Sequence, residues 1–337
     1  MPLDEYMRLC LGHPEHGYYV TRDPLGAAGD FITAPEISQM FGEMLGAWAA
    51  AVWQGMGAPG RFVLAELGPG RGTLMRDVLR AGGVLAGFPA AAEVWLVETS
   101  PALRARQAEV LAGAAPRWAA RVGDLPPGPL ILLANEFLDA LPIGQFQRTD
   151  AAWRARQVVL AGDGLGFGWG PPLPLPLVER RFGAVADGTV VEVGLGAEAV
   201  AAGLGARIAA QGGAALFIDY GAWAGTGDTL QAVRRHARAD PLLAPGEADL
   251  TAHVRFRALA EAARPAAAHG CVPQGVFLER LGIAERARRL ARGREAAVVD
   301  GIAGALRRLT HPSEMGNLFQ VLALTPEDAP VPPGFAP

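Results

Sequence analysis

Hydrophobic positions in the first half of the chain alternate between two rhythms. After Thr33-Ala34-Pro35-Glu36, residues Ile37, Met40, Phe41, Met44, Leu45 and Trp48 recur at the three- and four-residue spacing of one helix face. Thr33 to Glu36 matches the T-x-x-E capping box, so the pattern predicts a helix over about 34–53. The apolar run RFVLAELG at 61–68 ends in glycine and reads as a buried strand; a helix-like stretch follows, and VWLVE at 94–98 completes a βαβ unit. PALRARQAEVLAG reads as a second helix, WAARVGD as a short strand and PLILLANEF as another buried strand. Strands that alternate with helices in this way predict a parallel sheet.

Beyond residue 145 the rhythm changes. QFQRTDAAWRARQVVLAGDGLGFGWG alternates polar and apolar residues around a glycine turn and predicts hairpin strands, while PPLPLPL at 171–177 excludes helix. GAEAVAAGLGARIAAQ returns to helical spacing, and AALFIDYG at 214–221 reads as a further parallel strand. Residues 225–310 read as mostly helical, and NLFQVLALTP as a closing strand.

Composition narrows the class. A length of 337 residues suits one large α/β domain with insertions, or a core with a smaller lobe. The net charge of −4 argues against a protein built to bind a phosphate backbone. All 30 basic residues are Arg, a bias that points to a GC-rich genome rather than to function. No apolar run reaches the roughly 18 to 20 residues of a membrane span. MPLDEYMRLC carries two acids and no apolar core, so neither a secretory signal nor a transit peptide is read there, and a bacterial cytoplasmic setting is expected. Cys10 and Cys271 lack C-x-x-C spacing, and His13 and His16 have no third ligand nearby; no disulfide framework and no metal are expected.

The candidate chemistry gathers at strand ends. Glu66-Leu67-Gly68-Pro69-Gly70-Arg71-Gly72 lies between a strand and a helix beginning near Thr73 and Leu74. Glycines there let the backbone approach a ligand, and the helix start favours an anion such as the carboxylate of a methionine moiety. A nicotinamide fingerprint needs a third glycine at the position of Thr73, so G-x-G-x-G after an acid favours S-adenosylmethionine. Glu98, 26 residues after Gly72 and followed by Thr99 and Ser100, is placed to accept ribose hydroxyls. Asp124, before Leu125, suits either the adenine amino group or a local turn. Asn135, Glu136 and Asp139 follow a buried strand at the edge where open parallel sheets bind ligands. Glu136 and Asp139 could grip a guanidinium in bidentate fashion, or Asp139 could cap the next helix. Asp219 and Tyr220 end another strand and are candidate substrate residues, as is His253, read as lying at a helix start.

These motifs, with GYY at 17–19, GDFITAPEISQMFGE at 29–43, ANEFLDALPI at 134–143, GDTLQAVRRH at 227–236, DLTAHVRF at 249–256 and EMGNLFQVLAL at 314–324, resemble the MidA-type methyltransferases along nearly the whole chain. That family includes the mitochondrial factor that assists assembly of respiratory complex I. The resemblance implies a Rossmann-like class I core with a mostly parallel seven-stranded sheet, an N-terminal helical segment, and inserted hairpin and helical regions. It implies S-adenosylmethionine as cofactor, held by Gly68, Gly70 and Gly72, with Glu98 on the ribose and Asn135 and Glu136 lining the reaction centre. Gly29, Asp30, Phe31, Ile32 and Thr33 would fold over the cofactor as a lid. An arginine of a complex I subunit is the implied acceptor, against the alternatives of a small-molecule acceptor or a chaperone without turnover. The expected segments are a lid at 1–56, a cofactor-binding half at 57–145, a β-rich insertion at 146–190, more core at 191–224, a helical insertion at 225–312 and a closing strand at 313–337. Arg255, Pro273 and Gln320 depart from the family pattern, on the side of the substrate rather than the cofactor.

Overall fold

The computed structural model describes residues 1–21, 33–150 and 152–335. The chain forms two compact units, one of Met1–Phe31, Leu138–Ala199 and Ala222–Ala258, the other of Ile32–Phe137, Val200–Gly221 and Leu259–Pro337. The expected 1–56 segment is therefore divided at Phe31.

The larger unit is built on seven strands: β1 Phe62–Leu67, β2 Ala92–Val97, β3 Arg117–Ala119, β4 Leu130–Asn135, β5 Gly213–Ala222, β6 Ala267–Pro273 and β7 Phe319–Thr325. Their order is β6-β7-β5-β4-β1-β2-β3, with β7 antiparallel to both neighbours and the remaining pairs parallel. β1 is buried along its whole length and β4 almost so. Strands covered on both faces lose the polar-apolar alternation, which is why both appear as continuous apolar runs in the sequence. Helices α1 Gln39–Gly55, α2 Thr73–Gly82, α3 Pro101–Val110 and α4 Ile283–Ala291 belong to the same unit. Phe41, Trp48 and Trp53 of α1 share one core with Phe62 and Phe88, and Trp53 meets Phe88 edge-on at 5.7 Å between ring centroids.

Two helical expectations are corrected here. The helix predicted over 34–53 is broken: Ala34–Ile37 is one turn, Ser38 is extended at φ −162°, and α1 begins at Gln39. Ser38 Oγ accepts from the Met40 N–H, so serine caps the long helix, while Thr33 makes no side-chain cap. The segment 225–312 is not mostly helical. Gln231–Arg234, Ala237–Ala239 and Asp249–Thr251 form an antiparallel sheet in the smaller unit, and β6 belongs to the core. The hairpin between the first two of these turns at Arg235 and His236, with φ of 52° and 60°. Turns of this shape usually announce themselves through Asn-Gly or Asp-Gly, and here they do not.

The expected hairpin insertion forms a four-stranded antiparallel sheet in the smaller unit, ordered Gly164–Leu173, Ala152–Ala161, Gly144–Thr149, Val190–Val193. Pro171 and Pro172 are tolerated because their strand lies at the edge. Pro176, inside the run read as non-helical, opens the helix Pro176–Phe182, at a position where the missing N–H has no helical partner to lose. Among the described residues no helix is long and apolar enough to cross a membrane.

Candidate active site

The chain leaves β1 toward β2 and leaves β4 toward β5, so the strand order reverses between β1 and β4. In open α/β sheets the crevice beyond the carboxyl ends at such a reversal is where ligands bind. Leu67, Val97 and Asn135 end β1, β2 and β4, and the residues that follow them are those the sequence singled out.

Gly68, Gly70 and Gly72 all adopt left-handed backbone, at φ of 58°, 52° and 81°. A Cβ on Gly68 would lie 2.8 Å from Cδ2 of Phe137, so only glycine fits between the loop and the tip of β4. Gly72 is the N-cap residue of α2. Glu66, 3% exposed at the end of β1, has one carboxylate oxygen without a partner. Burial pushes its carboxyl up to about 8, only partly opposed by a bond from the Met75 backbone.

Glu98 follows β2. Its Oε1 accepts from the N–H groups of Thr99 and Ser100, each at 2.8 Å, and burial raises its pKa against those bonds. Ser100 is the N-cap of α3. Gln107, fully buried on α3, donates to Glu98 Oε2 at 3.3 Å and to the Gly70 carbonyl at 2.7 Å. Its own Oε1 accepts from Trp118 Nε1 at 2.8 Å. No motif marks Gln107 in the sequence; a polar residue on the apolar stripe of a helix was the only available signal.

Glu136, after β4, is left-handed at φ 51° although it carries a side chain. Such backbone persists only where surrounding bonds impose it. Its N–H donates to the Ile218 carbonyl at 2.9 Å, and its Oε1 accepts from Asn135 Nδ2 at 2.9 Å and the Ala34 N–H at 3.0 Å. Asn135 Oδ1 is buried without a partner. Asp219, 1% exposed, accepts from the Phe137 N–H at 3.2 Å and the Tyr220 N–H at 2.9 Å, and so fixes the turn beyond Glu136. Glu36, read from sequence as half of a capping box, instead accepts from Thr73 Oγ1 at 2.5 Å.

Other candidates are placed differently. Asp124 is exposed and its carboxylate takes the Arg121 N–H, the local-turn role; Leu125 beside it is buried. Tyr220 packs on Phe319 with centroids 4.0 Å apart and the rings tilted by 39°, a packing role. Asp139 and His253 belong to the smaller unit. Asp139 is buried, is followed by a turn rather than a helix, and its carbonyl accepts from Ala252 N–H at 3.0 Å. His253 lies between two short strands, not at a helix start; its N–H donates to Thr229 Oγ1, and burial lowers its pKa. His13 and His16 stack at 5.1 Å, and the described residues contain no cluster able to hold a metal. Gly29, Asp30, Phe31 and Ile32 lie outside the described residues.

The buried acceptors left open at Glu66 and Asn135 flank the reversal, beside a loop of left-handed glycines and an acid after β2. An amino-acid nucleoside carries ammonium, amino and hydroxyl donors that such a set can take, so the residues present fit S-adenosylmethionine. Fold and site together define a Rossmann-like methyltransferase that uses this cofactor.

The chain belongs to the family of S-adenosyl-L-methionine-dependent methyltransferases whose model matches residues 44–276, more than half of its length. It is 38% identical to the mitochondrial protein arginine methyltransferase NDUFAF7 homolog of Drosophila melanogaster, over 97% of this chain and 82% of the relative. Identity to the human protein arginine methyltransferase NDUFAF7 is 37%, over 96% of this chain and 79% of the relative. A crystal structure of a Burkholderia thailandensis protein bound to S-adenosyl-homocysteine superposes with a TM-score of 0.87 at 28% identity, covering 100% of this chain and 90% of the other.

Proposed function

We propose that this methyltransferase acts on an arginine side chain of a protein, that the acceptor is a subunit of respiratory complex I, and that it works in a bacterial cytoplasm. The observation that carries the reading is Glu136, a carboxylate held in left-handed backbone at the tip of β4 by bonds from Asn135, Ala34 and the chain beside it. The names of the Drosophila and human relatives support arginine as the acceptor.

In this reading Glu66, Gly68, Pro69, Gly70, Gly72, Thr73 and Leu74 take the methionine end of the cofactor. Glu98, Thr99 and Ser100 take the ribose, and Asp124 and Leu125 border the adenine. The cofactor supplies an electrophilic methyl group for an in-line displacement. The chain's task is alignment: a guanidinium is planar and pairs with a carboxylate in fixed geometry, so Glu136 orients one nitrogen and excludes other approaches. Asn135 keeps Glu136 in place through its amide.

A methyl-arginine survey by mass spectrometry in wild-type and deletion cells tests the assignment. Loss of methylation at one arginine of a complex I subunit, restored by the wild-type gene but not by Glu136→Gln, is the expected result. An unchanged methyl-arginine profile, or a small molecule as the one methylated product, overturns it. Gly70→Val, which places a branched side chain on left-handed backbone in the loop, is expected to abolish S-adenosylhomocysteine binding.

A further inference from the structure

We infer that Gln107 is a positioning residue that fixes the Glu98 carboxylate for the ribose hydroxyls of the cofactor and ties it to the glycine loop. The inference rests on the cofactor reading of Glu98 given above. Gln107 is fully buried, yet its amide serves three groups from three elements: the Gly70 carbonyl after β1, the Glu98 carboxylate after β2 and the Trp118 indole on β3.

The partners fix which end of the amide is which. An indole N–H can only donate, so Trp118 requires the amide oxygen; a carbonyl and a carboxylate only accept, so Gly70 and Glu98 require the nitrogen. Flipping the amide would break all three bonds at once. Trp118 therefore sets the orientation from which Gln107 reaches the cofactor site.

Two consequences follow for the ligand. Glu98 Oε1 is already held by the N–H groups of Thr99 and Ser100, and the bond from Gln107 to Oε2 removes the remaining torsional freedom of the carboxylate. A carboxylate fixed before binding loses no rotamer entropy when hydroxyls arrive. In a trans peptide the carbonyl and the following N–H point in opposite directions, so drawing the Gly70 carbonyl toward α3 turns the Arg71 N–H away from it. One side chain thus orients both the sugar-binding acid and part of the loop assigned to the methionine end.

The test separates positioning from general support of the fold. Calorimetry would compare S-adenosylhomocysteine with its 2′-deoxyribose analogue on the wild-type protein and on Gln107→Met, which keeps the length and apolar volume. For a hydrogen bond to a charged group, loss of the hydroxyl is expected to weaken wild-type binding by about tenfold to a hundredfold. In Gln107→Met that ratio is expected to shrink to less than about threefold, because a loose Glu98 no longer rewards the hydroxyl. If both ligands weaken by the same factor and the ratio stays at its wild-type value, the inference is overturned. Should Gln107→Met fail to fold, Trp118→Phe removes the indole donor while keeping an aromatic ring, and the same ratio is expected to fall, with an unchanged ratio counting against the inference. Absence of any S-adenosylhomocysteine heat on the wild-type protein would instead overturn the cofactor reading itself.

Discussion

Thr73 Oγ1 donates to Glu36 Oε1 across 2.5 Å, and two residues before Glu36 the Ala34 N–H donates to Glu136. The single helical turn Ala34–Ile37 therefore braces both the helix start after β1 and the tip of β4. A double-mutant cycle of Thr73→Val with Glu36→Met is expected to show a coupling of about 1 kcal/mol in urea unfolding. A coupling near zero would mean that the short contact holds nothing in place.

Substitutions in the glycine loop should be graded. Alanine at Gly68 meets Phe137 at 2.8 Å in addition to the left-handed backbone, whereas alanine at Gly72 has no neighbour closer than 3.6 Å. Gly72→Ala is thus expected to cost about 1 kcal/mol, the conformational term alone, and Gly68→Ala appreciably more. Thermal unfolding of the two variants, side by side, checks the ranking; equal costs would remove the steric argument.

Glu66 makes stability depend on pH in a defined direction. Its folded-state pKa lies near 8 against an ordinary 4.5, so between those values the folded protein holds a proton that the unfolded chain releases. The contribution is complete below about 4.5 and is lost as pH rises through about 8. Glu66→Gln cannot release that proton. Relative to this variant, the ligand-free wild type is expected to lose on the order of a few kcal/mol between pH 5 and pH 8.5 in urea titrations. Parallel curves for the two proteins would show that the buried carboxyl titrates normally.

Arg286 on α4 grips Glu43 of α1 through two bonds of 2.7 Å, and Glu43 is 6% exposed. Arg286→Met leaves that carboxylate with the Arg80 cation at 3.2 Å and the Gln39 amide at 3.4 Å. The expected loss is about 2 kcal/mol, less than for a fully buried pair because one cation remains. Glu43→Gln in the Arg286→Met background should recover part of it, as read from the denaturation midpoint.

Legibility in the sequence followed burial and local chemistry. β1, β4 and β5 stood out because strands covered on both faces carry unbroken apolar runs, and the glycine loop stood out because left-handed backbone demands its residue type. β6, with the sequence AAHGCVP, lies at the sheet edge and is only partly covered, so it carries no such run. The Arg235-His236 hairpin lacks the residues that its turn favours, and Thr33 to Glu36 satisfied a capping motif whose acid is taken by Thr73. Within the candidate site Glu98 and Glu136 were visible from their distance to other motifs. Gln107 and the bond from Ala34 to Glu136 were not, because the contact of Gln107 with Gly70 and that of Ala34 with Glu136 join residues more than thirty positions apart.

The antiparallel strand β7 sits between β5 and β6, yet it is the last of the three to be made. A nascent chain that has produced β1 through β6 still lacks the strand that pairs with both β5 and β6. Until Phe319–Thr325 leaves the ribosome, the edge of β5 is an open template for pairing with other chains. Premature stops as late as residue 318 should accordingly yield aggregates or degraded polypeptide, and a chaperone acting on this protein has its work before β7 emerges.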